Sequence, residues 1–262
     1  MTDGCGRTID YLRLSVTDRC NYRCRYCMPE EGVCKREHRE MLTLEELAEV
    51  AAAFVVCGVR KIRLTGGEPL VRRGIVELCR QLRAIPDLRE LCLTTNGSLL
   101  PDLAAPLRAA GVDRLNISLD TLRPERFAQM TRLGQLSDVL EGIRAAEDAG
   151  FRDLKFDTVL IGGFNDDEIA DFAALTRDHP WEMRFIELMP MGQADAGVYL
   201  PGDTVLERCR SLVPAEPSGV ARRWRLPGGK GLVGLIEPMS HRFCSSCDRI
   251  RITADGRLKP CL

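Results

Sequence analysis

Histidine is scarce in this chain: three residues (His38, His179 and His241) among 262. Mixed cysteine–histidine zinc sites are therefore poorly supplied. Net charge is nearly absent as well, with 37 Lys and Arg against 38 Asp and Glu. Such a balance gives no global attraction to nucleic acid or to a membrane surface. No apolar run is long enough to span a bilayer; the nearest, Ala48–Val59, is interrupted by Glu49. The first residues show no basic stretch followed by an apolar one, so a cytoplasmic location is expected. No low-complexity linker divides the chain. Its length suits a single α/β barrel-sized core, and a hydrophobic content of 45% can fill one.

What the chain does have is cysteine, twelve in all. Disulfide scaffolds are short and secreted, whereas clustered cysteines in a long chain of a reducing compartment read as metal ligands. Cys20, Cys24 and Cys27 form a C-x3-C-x2-C set. Cys244, Cys247 and Cys261 form C-x2-C with a third cysteine fourteen positions on. A closed tetrahedral zinc site or a fully ligated four-iron cluster needs four ligands, so each set is one short. A [4Fe–4S] cube held at three corners leaves one iron open to an outside ligand. The alternative is a structural zinc borrowing a distant fourth ligand. Cys57, Cys79, Cys92 and Cys209 sit in apolar contexts and read as small core residues. Cys34, in a charged loop, reads as a free thiol. His38 and His179 read as surface residues, and His241 as a neighbour of the second set.

Strands and helices alternate along most of the chain. Strands are predicted at 11–16, 61–65, 90–95, 114–119, 154–160 and 183–188. Helices are predicted after Thr43, whose Glu46 completes a capping box, and at 74–84, 101–110 and 137–149, with another opened by Asn165 and Glu168. Gly58, Gly111 and Gly150 each follow a helix and precede a strand, as C-terminal caps do. Six such units are too few to close an eight-stranded barrel, so the expected fold is an open partial (βα)6 TIM-type barrel. After Pro190 the rhythm breaks. A short helix at 203–211 and two antiparallel strands at 221–226 and 232–236 follow. The boundary is placed near residue 215, with residues 1–215 forming the barrel and 216–262 a smaller region carrying the second cysteine set.

The first cysteine set follows the first strand directly, where a barrel builds its active site. The second strand ends in Thr65-Gly66-Gly67-Glu68-Pro69. With the cysteine spacing, this Gly-Gly-Glu-Pro turn resembles the radical S-adenosylmethionine superfamily. The segments at 11–29, 61–72, 93–97, 113–122, 184–192 and 243–262 extend the likeness over nearly the whole chain, to the GTP 3′,8-cyclase family of molybdenum cofactor biosynthesis. The resemblance implies a lyase with two [4Fe–4S] clusters that cleaves S-adenosylmethionine reductively. The adenosyl radical so formed would convert GTP to 3′,8-cyclo-7,8-dihydro-GTP. Cys20, Cys24 and Cys27 would hold the cluster that binds S-adenosylmethionine. Tyr26, Gly67, Ser118 and Met189 would contact that cofactor. Cys244, Cys247 and Cys261 would hold a second cluster whose open iron takes the guanine. Arg13, Arg63, Thr94, Lys155, Arg249, Ile250 and Arg251 would contact GTP.

Arg13, Arg63 and Lys155 also stand out on their own, as charges inside apolar strand patterns. A buried cation needs a partner. A triphosphate supplies one; so does an inward ion pair, for example with Glu68, Asp120, Asp157 or Glu187. From the residues alone both stay open, and the resemblance favours GTP. It further implies an electron donor such as flavodoxin or ferredoxin, a downstream cyclic pyranopterin monophosphate synthase, no nucleic-acid or membrane partner, and a possible homodimer. Cys5 departs from the family, which has a larger apolar residue there. Family members continue past the second cluster into a Gly-Gly tail. The expectation is a C-terminally truncated chain that assembles both clusters and cleaves S-adenosylmethionine, yet cyclises GTP poorly. Two rival readings are a radical S-adenosylmethionine enzyme that modifies a peptide, and a non-catalytic iron–sulfur or zinc protein.

Overall fold

The computed structural model describes residues 1–4, 6–32 and 40–261. Cys5, Cys34 and His38 lie outside the described residues. The core is one sheet with helices packed on its convex face. Its first six strands are β1 (Tyr11–Ser15), β2 (Lys61–Thr65), β3 (Glu90–Thr95), β4 (Arg114–Ser118), β5 (Lys155–Leu160) and β6 (Glu182–Glu187). Successive strand residues point to opposite faces. One set, including Leu12, Leu14, Ile62, Leu64, Leu91, Leu93, Leu115, Ile117, Phe156, Met183 and Phe185, packs into the hydrophobic core. The other set is polar and lines the concave side. Buried parallel strands usually read as apolar throughout, so this polar alternation marks an inner surface built for a ligand.

The helices are α1 (Leu44–Val56), α2 (Ile75–Arg83), α3 (Leu100–Ala109), α4 (Pro124–Thr131), α5 (Leu136–Asp148), α6 (Ile169–Asp178) and α7 (Asp203–Arg208). The Thr43 cap is as expected: its hydroxyl accepts from Glu46 N at 3.1 Å, and the Glu46 carboxylate accepts from Thr43 N at 2.7 Å. Gly58, Gly111 and Gly150 all take positive φ after their helices. Helix α4 was not expected; its eight residues are too few for a clear helical period.

The later strands are β7 (Val213–Ser218), β8 (Ala221–Arg225), β9 (Leu232–Ile236), β10 (Arg249–Ile252) and β11 (Leu258–Lys259). The sheet order is β11-β10-β1-β2-β3-β4-β5-β6-β9-β8-β7. The antiparallel β8–β9 pair is as expected. Two further pairings extend the sheet beyond the six expected strands: β10 runs parallel to β1, and β9 parallel to β6. Eight parallel strands therefore stand side by side, yet the sheet ends at β11 and β7, and the partial barrel stays open. Residue 215, where the boundary is expected, lies within β7. Cys79, Cys92 and Cys209 are buried as expected, but Cys57 is exposed at the end of α1. No helix among the described residues is long and apolar enough to cross a membrane.

Topology puts the two cysteine sets at opposite ends of the barrel. The first set follows the carboxyl end of β1. The second lies on the segment that leaves β9, spans the lateral opening and enters the amino end of β10, where Tyr11 N donates to Asp248 O at 3.2 Å. Strand β11 runs antiparallel to β10, so Cys261 returns to that same end.

Helix α5 packs against α3 through Gly142, whose missing Cβ would lie 2.1 Å from the Gly97 carbonyl oxygen. Alanine there gains about 1 kcal/mol of helix propensity. The obstacle is backbone that cannot swing aside, so the clash decides. Gly142→Ala should destabilise the chain by about 1–3 kcal/mol, the usual cost of overpacking, read as a lower urea midpoint. A raised midpoint would contradict this packing.

Candidate active site

The loop after β1 is held on both sides before any ligand arrives. Gly67 N donates to Thr17 O at 2.9 Å, and Glu68 N to Arg19 O at 2.8 Å. This contact needs glycine: a Cβ on Gly67 would lie 2.2 Å from Arg19 O, and one on Gly66 2.4 Å from Thr17 O. The buried Glu68 carboxylate accepts from Leu70 N, Thr95 Oγ1 and Asn96 N at 3.0, 2.7 and 2.7 Å. Asn96 then donates to Asn21 at 2.8 Å. On the other flank Arg23 N and Arg25 N donate to Thr131 O and Met130 O of α4 at 2.8 and 3.0 Å. The helix missed from sequence thus clamps the cysteine loop.

Burial raises the Cys20, Cys24 and Cys27 thiols, Cys27 to about 12. Ligation of iron would replace their protons. Sulfurs around one tetrahedral zinc lie about 3.8 Å apart, given a Zn–S bond near 2.3 Å. Among the described residues neither triplet brings its three sulfurs within 4.8 Å of one another. Three thiols in each set, one short of a closed tetrahedral site, fit three corners of a four-iron cube. His241 faces Asp203 at 3.3 Å and Glu237 at 3.9 Å, away from a ligand role for the second triplet.

A cavity of about 660 Å³ fills the concave side of the sheet. Its lining brings together Arg13, Arg63, Thr94, Lys155, Arg249, Arg251, Met189 and all three of Cys244, Cys247 and Cys261. Ile250 is the correction: strand alternation turns it into the hydrophobic core while Arg249 and Arg251 face the cavity. Tyr26, Gly67, Ser118 and the first triplet are not among the lining residues. Tyr26 donates to the buried Asp120 at 2.9 Å, and burial raises that carboxyl to about 6. Ser118, at the end of β4, is level with Asp157 on β5.

Inward residues form rows across the strands. Arg251, Arg13 and Arg63 stand abreast on β10, β1 and β2. Arg63 is held by Tyr11 OH, by Thr94 Oγ1 at 3.2 Å and by Asn116 Oδ1 at 2.6 Å. Among the described residues Arg13 and Arg251 have no ion pair or side-chain hydrogen bond, and Arg13 Nε is buried without a partner. Among the described residues Arg249 has one ion-pair contact, with Asp248 at 3.9 Å, and its guanidinium lies over the Tyr11 ring. Lys155 differs: it pairs with Glu182 at 2.8 Å, a carboxylate beyond the four named from the sequence. Glu68, Asp120 and Glu187 are occupied elsewhere. Glu187 accepts from Tyr199, Gly202, Met239 and Ser240, tying β6 to the segment that leads to Cys244. Asp157 is reached from Arg63 only through Asn116, which donates to it at 2.8 Å.

Tyr11, Lys61, Arg114, Asn116 and Arg184 also line the cavity and were missed, and Asp157, weighed only as an ion-pair partner, lines it too. A signal existed for three of these: Tyr11, Lys61 and Asp157 share the strand parity of Arg13, Arg63 and Lys155.

Residues 14–176 match the Radical SAM superfamily, and residues 181–262 match the family described as Molybdenum Cofactor Synthesis C. The chain is 53% identical to a GTP 3′,8-cyclase of Peptoclostridium acidaminophilum, covering all of this chain and 83% of that protein. It is 51% identical to a GTP 3′,8-cyclase of Moorella thermoacetica, covering all of this chain and 84% of that protein. Among solved structures, Streptococcus suis SuiB superposes with a TM-score of 0.71 at 12% identity, over 97% of this chain and 60% of that one.

Burial, and then the charge of Arg251, lowers Arg13 to about 9; burial, and then Arg184, lowers Lys155 to about 8. A depressed cation is charged below its pKa and neutral above it. Arginine keeps its charge across this range, so Lys155 is the side chain that titrates: a nucleoside triphosphate should bind the iron-loaded chain more tightly below pH 8 and lose affinity as pH rises through 8. An affinity that is flat over that window would contradict the assignment of Lys155 to the anion.

Proposed function

The chain belongs to the radical S-adenosylmethionine superfamily and, within it, to the GTP 3′,8-cyclases, and we propose that it converts GTP to 3′,8-cyclo-7,8-dihydro-GTP in molybdenum cofactor biosynthesis. The observation that carries this reading is one cavity lined by both a three-thiol set and a row of arginines that, among the described residues, form no ion pair. When bound, the cluster on Cys20, Cys24 and Cys27 supplies the electron that cleaves S-adenosylmethionine and so initiates hydrogen abstraction.

The chain's own residues do the rest. The Gly66–Gly67 approach and the Glu68 network hold the first loop rigid, with Tyr26, Gly67, Ser118 and Met189 assigned to the cofactor. Arg13, Arg63, Arg249 and Arg251 would neutralise the triphosphate, with Thr94 and Lys155 beside them. Cys244, Cys247 and Cys261 would carry the second cluster and draw the guanine to the opposite end. Stretched between these fixed ends, the nucleotide is held with its sugar toward the cofactor, which is orientation catalysis. In this reading the division at residue 215 is functional: residues 1–215 serve the cofactor and 216–262 supply the second cluster. The proposal includes an external electron donor such as flavodoxin or ferredoxin, a downstream synthase that consumes the product, homodimer formation and a cytoplasmic setting. The arginine row favours a nucleotide over a peptide as substrate.

Anaerobic reconstitution tests the reading. The chain should take up about eight irons, the count of two cubes, and GTP should stimulate 5′-deoxyadenosine formation with appearance of a cyclised nucleotide. Cys261→Ala should hold about four irons, still cleave S-adenosylmethionine, and lose the response to GTP. An iron-loaded native chain whose cleavage is indifferent to GTP would overturn the proposal.

A further inference from the structure

Asp157 is the anomaly of the cavity wall. Nine of the lining residues are cationic (Arg7, Arg13, Lys61, Arg63, Arg114, Lys155, Arg184, Arg249 and Arg251), and the only acidic ones are Asp157 and Asp248. A carboxylate in such company is expected to serve as a counter-ion. Asp157 does not: no cation lies within ion-pair distance of it among the described residues. Its neighbours on the wall are neutralised by others, since Lys155 and Arg184 both pair with Glu182, at 2.8 and 2.5 Å. Arg63 is held by Asn116 instead.

The Asp157 carboxylate accepts one side-chain hydrogen bond, from Asn116 Nδ2 to Oδ2 at 2.8 Å; Oδ1 has no partner. An ionised carboxylate has about four acceptor sites, so most of its capacity is unmet. Oδ1 is buried, and the terminal torsion of aspartate is soft enough to turn it toward the cavity that the residue lines. Being acceptor-only, the group repels phosphate and requires a donor. The register places it between Ser118 on β4 and Arg184 on β6, at the seam between the cofactor side and the cationic side. The donor-bearing part of a nucleotide that reaches this seam is its sugar.

We propose that Asp157 accepts a hydrogen bond from a ribose hydroxyl and thereby orients the bound nucleoside on the cavity wall. This rests on the function proposed above. Two riboses share the chemistry, that of GTP and that of S-adenosylmethionine, and the experiment separates them.

Dissociation constants of GTP, 2′-deoxy-GTP, 3′-deoxy-GTP and S-adenosylmethionine are measured by equilibrium dialysis on the iron-loaded chain and on its Asp157→Asn variant, with iron content checked for each. A hydrogen bond to a charged group corresponds to roughly ten-fold or more in affinity. If the substrate ribose is bound, the native chain discriminates against one deoxy analogue by that factor. Asp157→Asn then loses GTP affinity and discriminates no longer, while S-adenosylmethionine is unaffected. If the cofactor ribose is bound, S-adenosylmethionine weakens and the GTP series does not. Equal changes for GTP and both deoxy analogues, or no change for any ligand, overturn the proposal. Asp157→Ala, read the same way, replaces the asparagine variant if that one fails to load iron. A native chain that binds no GTP at all sinks the functional reading, and the S-adenosylmethionine arm still decides the role of Asp157.

Discussion

Three arginines abreast on β10, β1 and β2, two of them without a counter-ion among the described residues, are the constraint around which this molecule is arranged. Like charges facing across neighbouring strands are destabilising, and burial adds to the cost. The direction of the effect is visible in Arg13, pushed down to about 9, and in Arg251, also lowered by burial and by Arg249. Hydrogen bonds hold Arg63 alone of the three; among the described residues Arg13 and Arg251 have no side-chain hydrogen bond or ion pair. Elsewhere the chain pairs its inward cations readily: Glu182 serves Lys155 and Arg184, and Glu90 serves Lys61 and Arg114. The contrast makes the row a place prepared for an anion.

The partial barrel sets what lies on either side of that anion. The parallel run ends in β10 at one margin and β9 at the other, the antiparallel strands beyond them leave the sheet open, and the connection from β9 to β10 carries Cys244 and Cys247 across the gap. Because β10 is parallel to β1, the second triplet lies at the amino end of the strands, opposite the first. Glu187 fixes the start of the bridging segment to β6, so the two ends are registered through one strand.

Much of this was legible in the residues. The two triplets, the glycine turn and the alternation of strands and helices stand out because each has a local signature of spacing, conformation or period. Arg13 and Arg63 were visible as charges in apolar strands. The rest depends on pairing at a distance, which local pattern does not encode. Strand β10 is four residues long, and nothing in Arg249–Ile252 announces a parallel partner some 240 residues earlier in the chain. Without that pairing the alternation that buries Ile250 cannot be read. The carboxylate that pairs with Lys155 could not be named for the same reason, since Glu182 becomes its neighbour only through the β5–β6 register. The clamp from α4 was hidden by the helix's shortness.

If the uncompensated row exists to receive a triphosphate, affinity for the nucleotide resides in the phosphates rather than in the base. Isothermal titration of the iron-loaded chain with GTP and with guanosine tests this directly. Several charge-assisted contacts at about 1.5–3 kcal/mol each predict that guanosine binds at least roughly a hundred-fold more weakly than GTP, and that only GTP binding weakens with added salt. Equal affinity for the two, or salt-independent GTP binding, would contradict the account.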